Sequence, residues 1–374
     1  MLENPFITYG YESPEYFCDR ENETRELIKL LVNGNNTALI SPRRMGKTGL
    51  IHHVYTQPQI KEQFFTFLVD IYATKNLQDF VFQLGYAIVS KLKSKGQKVI
   101  DRFLQFVSSL RTGIAFDGQG NASWNLDIGD IKLPEFTMEE IFNYLNDANK
   151  RCIIAIDEFQ TIASYPEQNT EALIRTYVQK CRNATFIFAG SQQSMMSEMF
   201  SSPARPFYQS VSLMFLKPVG IGQYKQFAVR HFQSKRKTID EKAVEMIYQE
   251  FEGVTWYMQK MLNQIFSNTA DGEEAKEKDV EKARDQILGQ NEEAYKDLLY
   301  LLTVKQRNLL IAICKEKKVT HLTKASFINR HKLQSSSSIQ KSKEILLKKQ
   351  LITCHQGVYE PYDKFMGEWI SRYF

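Results

Sequence analysis

Residues 37–54 constrain this chain more than any other stretch. Ala38-Leu39-Ile40 reads as a short buried strand and Ser41 to Met45 as a tight loop. Gly46-Lys47-Thr48 then opens a segment with helical spacing, placing Leu50, Ile51 and Val54 on one side. Strand, loop and helix in that order are what a phosphate-binding P-loop needs, because loop and helix N-terminus aim backbone N–H groups at an anion. Ser41, Pro42, Arg43, Arg44, Met45, Gly46, Lys47, Thr48 and Gly49 are therefore the candidate nucleotide-binding residues. Lys47 is expected to reach the β- and γ-phosphates of ATP, and the Thr48 hydroxyl to hold Mg²⁺. Ser41 stands where the pattern usually has Gly, and its Cβ restricts positive φ. A chance Gly-Lys-Thr in a surface turn is the alternative; the strand before it and the helix after it argue against that.

A second motif supplies the carboxylates such a loop requires. Arg151 precedes the apolar run Cys152-Ile153-Ile154-Ala155-Ile156, which ends in Asp157-Glu158. A strand apolar throughout suits the centre of a parallel sheet, buried on both faces. Ligands in open α/β sheets bind outside the carboxyl ends of the strands, where these two acids fall. Asp157 is the expected Mg²⁺ ligand, and Glu158 the group that orients or deprotonates the attacking water. An acidic N-cap without chemistry is the lesser alternative. A further strand, residues 184–190, ends at Ser191, which is read either as a γ-phosphate sensor with a catalytic role or as a helix N-cap. Arg205, in the stiff Pro203-Ala204-Arg205-Pro206 loop, is open to two readings, an arginine finger or a structural ion pair.

The rest of the chain bounds the class. At 374 residues, 43% hydrophobic and 24% charged, it suits a globular protein of two or three domains. No apolar run approaches the ~20 residues of a membrane helix. The first residues lack the basic-then-apolar pattern of a secretory leader, and the five cysteines are scattered without a Cys-x-x-Cys pair, so a cytoplasmic protein with reduced thiols is expected. Helices are expected over 24–32, 77–92, 97–110 and 138–148, strands over 64–71 and 213–216, and a hairpin over 114–126. Residues 221–300 read as all-helical, a lid over the nucleotide.

From Thr303 onward the chain holds 14 Lys and Arg against five Asp and Glu, a surplus of nine; with a net charge of +5 overall, the remainder carries −4. Helices over 304–314, 323–330 and 339–349, then two short strands around Gln356-Gly357, describe a winged helix-turn-helix. The third helix carries Gln340, Lys341, Lys343, Lys348 and Lys349, with Ser335 to Ser338 at its start. DNA is one candidate partner of that surface and a protein the other.

Together these pieces resemble the archaeal-type ATPase family, P-loop ATPases related to AAA+ proteins and to signal-transduction ATPases. The resemblance rests on Phe17-Cys18-Asp19-Arg20-Glu21-Asn22-Glu23, Ser41 to Thr48, Ile153 to Gln160, Gly190-Ser191 and Gly253 to Gln259. It implies an α/β core, a helical lid and a C-terminal winged helix; placed on the segments read above, this gives an AAA+-like P-loop core with a parallel sheet over 1–220, helices and a hairpin inserted at 76–150, a lid over 221–300 and a winged helix over 301–374. It also implies ATP binding and hydrolysis, for which Thr48 and Asp157 are the expected Mg²⁺ residues. The biological task and the oligomeric state stay open.

Overall fold

A computed structural model describes residues 3–93, 102–103, 105, 107, 114–116, 122–124 and 131–374. The chain forms two compact units. One comprises Ile7–Tyr224 with Val254–Trp256; the other comprises Met1–Phe6, Lys225–Gly253 and Tyr257–Phe374.

The first unit is built on a five-stranded sheet of β1 (Thr37–Ile40), β2 (Phe64–Asp70), β5 (Arg151–Asp157), β6 (Ala184–Gly190) and β7 (Ser212–Phe215). The order is β2-β5-β6-β1-β7, and every pairing is parallel. Alternate residues of each inner strand feed opposite layers. Ala38, Ile40, Ile154, Ile156, Phe186 and Phe188 enter one core. Leu39, Ile153, Ala155, Ile187 and Ala189 enter the other. This two-sided burial is why the strands read as unbroken apolar runs.

The second layer takes Leu27 and Leu31 of helix Glu21–Val32, and Leu50, Ile51 and Val54 of helix Lys47–Thr56. Helix Lys47–Thr56 stops at Gln57, whose extended backbone (ψ 138°) is what a following proline, Pro58, imposes. On the first layer, Phe159, Phe188, Phe200 and Phe207 form an aromatic cluster with ring centroids 4.5–5.9 Å apart. Helix Leu77–Lys93 lies where the periodicity predicts it. Helix Pro134–Asp147 begins four residues earlier than expected, because Pro134 fits the first turn, where no N–H is needed. The expected helix over 97–110 lies largely outside the described residues. The expected hairpin is present as β3 (Ile114–Phe116) paired antiparallel with β4 (Ala122–Trp124); its turn lies outside the described residues.

The second unit departs from the all-helical reading of 221–300. β8 (Thr238–Ile239) and β9 (Glu274–Ala275) pair in parallel. They close the chain around helices Glu241–Phe251 and Thr255–Asn268, so the charged stretch after Asp271 starts extended and becomes helical only at Glu277. Its C-terminal part is a winged helix: Val304–Glu316, Ala325–Arg330, Ser336–Lys348, then β10 (Ile352–His355) and β11 (Val358–Pro361). Thr303 and Gln306 form a reciprocal capping box at its first helix. Gln356 and Gly357 both have positive φ (49° and 80°), the pattern of a type I′ hairpin turn. Val319 bridges Tyr359 and adds a third short segment to the wing. The basic surplus is partly neutralised within this unit. Glu252 accepts from Lys318 and Lys364, Glu316 pairs with Arg330, and Arg372 pairs with Asp285 and Glu368. Lys341, Lys348 and Lys349 remain exposed on and just after the third helix.

Candidate nucleotide-binding site

In the order β5-β6-β1, three adjacent strands bring their carboxyl ends together, and each delivers one part of the site. β1 leads into the loop 41–46, β5 ends in Asp157-Glu158, and β6 ends at Gly190-Ser191. The Ser41 N–H donates to the Gly190 carbonyl (3.3 Å), which ties the loop to the neighbouring strand.

Ser41 is fully buried and is not among the positive-φ residues, so the loop does not need glycine there. Left-handed backbone occurs instead at Arg44 (φ 67°) and Gly46 (φ 87°). Left-handed residues in such a loop are one way in which successive N–H groups can be turned toward one side, and the loop leads directly into helix Lys47–Thr56. The Lys47 ammonium lies 3.3 Å from both the carbonyl and the hydroxyl of Ser41, and 3.4 Å from the Pro42 carbonyl.

Across the site, Thr48 Oγ1 donates to Asp157 Oδ2 at 2.6 Å, joining residues 109 positions apart. The other Asp157 oxygen accepts the Glu158 N–H (3.0 Å). Glu158 has left-handed backbone (φ 56°), which turns its side chain away from the line of β5. Its Oε2 accepts from Ser191 Oγ (2.6 Å) and from Gln160 Nε2. The N-cap of the following helix is Gln192, without a side-chain cap, so the capping alternative for Ser191 is replaced by this contact with Glu158. Glu158 likewise makes no side-chain cap.

Lys47, Asp157 and Ser191 are each under a tenth exposed. Burial pushes the Lys47 pKa down, opposed by the negative charges of Glu158 and Asp157. Burial also pushes the Asp157 pKa up, opposed by the Thr48 hydroxyl and the Lys47 charge. Each charge is thus costly alone and supported by the other.

The two loop arginines reach outward. The Arg43 guanidinium lies over the Tyr72 ring (5.3 Å), and that of Arg44 over the Trp256 ring (4.3 Å). Arg205 pairs with Glu171 at 2.6 Å and lies 3.8 Å from Glu198, the structural ion-pair alternative of its two readings. Sequence reasoning gave no role to Gln160, Arg20 or Thr255. Gln160 is buried beside Gly190, where an added Cβ would meet Gln160 Oε1 at 2.5 Å and Met196 Sδ at 2.4 Å. Its place in Asp-Glu-Phe-Gln is the only signal it left. Gly190→Ala is expected to overpack this spot and cost about 1–3 kcal/mol, read as a lowered melting temperature; an unchanged melting point would show that Met196 and Gln160 can move aside.

This combination of parallel sheet order, loop and carboxylates defines a P-loop NTPase-like α/β fold. The chain belongs to the family of ATPase domains found predominantly in Archaea, whose model matches residues 17–261. A probable winged helix domain is matched over residues 293–372. Comparison with curated proteins yields no match. Among solved structures, the chain is similar to the Walker-type ATPase PABY2304 of Pyrococcus abyssi, at 18% identity and TM-score 0.65, covering 98% of this chain and 99% of that one. It is also similar to the Aeropyrum pernix ORC2 protein, solved in ADPNP–ADP complexes (15%, TM-score 0.55, 98% and 96%). The Aeropyrum pernix ORC1 protein in complex with DNA is a third likeness (12%, TM-score 0.52, 99% and 97%). At these identities the likeness is one of fold. Among the described residues no helix is long and apolar enough to cross a membrane.

Proposed function

We propose that this chain binds ATP with Mg²⁺, hydrolyses it, and converts hydrolysis into a change in the lid and winged helix. The observation that carries the reading is the meeting of Thr48 with Asp157 at 2.6 Å, beside a Glu158 held by Ser191. The loop N–H groups and Lys47 take the phosphates. Hard oxygen donors suit Mg²⁺, and the Thr48 hydroxyl and Asp157 carboxylate are two such donors, already adjacent. Bound there, Mg²⁺ would neutralise charge on the phosphates. Glu158 accepts a proton from the attacking water, and the Ser191 hydroxyl, now on Glu158, is within the same cluster to sense the terminal phosphate. Phosphate release from ATP by the purified chain, with and without EDTA, tests this. ATP that neither raises the melting temperature nor yields phosphate would overturn it.

A second reading is a slowly hydrolysing, ATP-gated switch whose winged helix docks on DNA or a protein. Exposed Lys341, Lys348 and Lys349, with the serines at the helix start, favour DNA, and the ORC1 neighbour was solved with DNA. DNA affinity is then expected to fall steeply between 50 and 200 mM salt, and each Lys→Gln change to reduce the log–log slope by about 1. A salt-independent titration would leave a protein as the partner.

A further inference from the structure

A loop that turns its N–H groups inward must turn carbonyls outward, and those need donors of their own. In this chain the donors come from two distant places. Met45 O accepts from Arg20 Nη2 (2.8 Å) and from Thr255 Oγ1 (3.1 Å). Arg44 O accepts from the Trp256 N–H (3.0 Å). Arg20 is 2% exposed, has left-handed backbone (φ 59°), and is fixed further by Glu23 and the Lys217 carbonyl. Thr255 also packs on the bare Cα of Gly46, where an added Cβ would lie 3.7 Å from Thr255 Cγ2. The Trp256 ring carries the Arg44 guanidinium.

Thr255 and Trp256 open helix Thr255–Asn268, yet with Val254 they cluster with the P-loop unit, while the helix from Tyr257 on clusters with the other. The first N–H groups of a helix have no partner within it. Here one is satisfied by a loop carbonyl, so helix start and loop complete each other.

We propose that Thr255, Trp256 and Arg20 are positioning residues that brace the phosphate loop from outside, so that nucleotide affinity depends on the first turn of the lid helix. This rests on reading residues 41–49 as the nucleotide loop and extends it to residues outside the loop. The brace acts on the shape of the N–H cradle. Losing it weakens nucleotide binding without removing any group that touches the phosphates.

The test uses the full chain, a fluorescent ATP analogue with Mg²⁺, and melting temperatures without nucleotide. Thr255→Val keeps the shape and removes the hydroxyl; Thr255→Ser keeps the hydroxyl. The Val variant is expected to bind the analogue about three- to tenfold more weakly, as loss of one ordinary hydrogen bond implies. The Ser variant is expected to bind and melt as wild type does, and the Val variant to melt only slightly lower without nucleotide, by the one hydrogen bond it loses. Met45 O keeps one donor in each single variant, so Arg20→Lys with Thr255→Val is expected to lose more affinity than the product of the single losses. Equal affinities for Val and Ser variants would overturn the proposal, as would a Val variant that binds the analogue as tightly as wild type does. A wild type that binds no analogue would overturn the nucleotide reading itself, and the brace with it. The Thr255 pair decides the matter if Arg20→Lys does not fold.

Discussion

Glu158→Gln is expected to retain ATP and to release phosphate at least about a hundredfold more slowly than the wild type, since positioned general bases contribute roughly 10²–10⁴. Gln has nearly the same shape, so its amide oxygen can still accept from Ser191 and Gln160, which now share Glu158 Oε2. What it loses is the ability to take a proton. Asp157 and Thr48, which meet independently of Glu158 Oε2, are left in place. Affinity measured by nucleotide-induced stabilisation should therefore hold while turnover collapses. Phosphate release at the wild-type rate would remove Glu158 from the chemistry and return attention to Asp157. A wild type that binds ATP yet releases phosphate no faster than the protein-free background would favour the slow switch.

Lys47→Ala is expected to act on binding instead. Lys47 is 6% exposed and its ammonium already lies within 3.4 Å of three loop oxygens, so its stem is fixed before any ligand arrives. A hydrogen bond from a charged group contributes roughly 1.5–3 kcal/mol, and loss of two such bonds to phosphate oxygens corresponds to about a hundredfold or more in affinity. Titration of the variant with ATP should give no saturation in the range that saturates the wild type. Burial pushes the Lys47 pKa down, and the neighbouring Asp157 and Glu158 charges oppose it. Removing the lysine also takes away the positive charge that opposes burial of the Asp157 carboxylate. Undiminished ATP affinity would show that the backbone cradle alone holds the phosphates.

Much of this was legible in the residues. The unbroken apolar runs at 38–40, 152–156 and 184–190 are strands because they are buried on both sheet faces, and the structure puts alternate side chains into two cores. Loop, carboxylates and Ser191 are each adjacent in sequence to one of those strands, so a strand assignment also located them at one end of the sheet. The winged helix was legible for the same reason: helical spacing and a Gln-Gly turn are local signals. The short β8–β9 pair was missed because two-residue strands leave no periodicity and pair 36 positions apart.

By itself, the chain's local pattern determined most of the strands and helices, the loop between β1 and the helix that follows it, and which acids and serine end the central strands. Those properties follow from short-range backbone geometry and from burial, which periodicity records. Only the tertiary structure decided that Ser191 and Gln160 share one oxygen of Glu158, that Arg205 is spent on Glu171, and that Arg20 and Thr255 meet on the Met45 carbonyl. These are contacts between groups 2 to 210 positions apart, made through single polar atoms. No spacing rule encodes them, because a hydrogen bond's partner is set by where the packed elements bring donors and acceptors, not by the residues beside it.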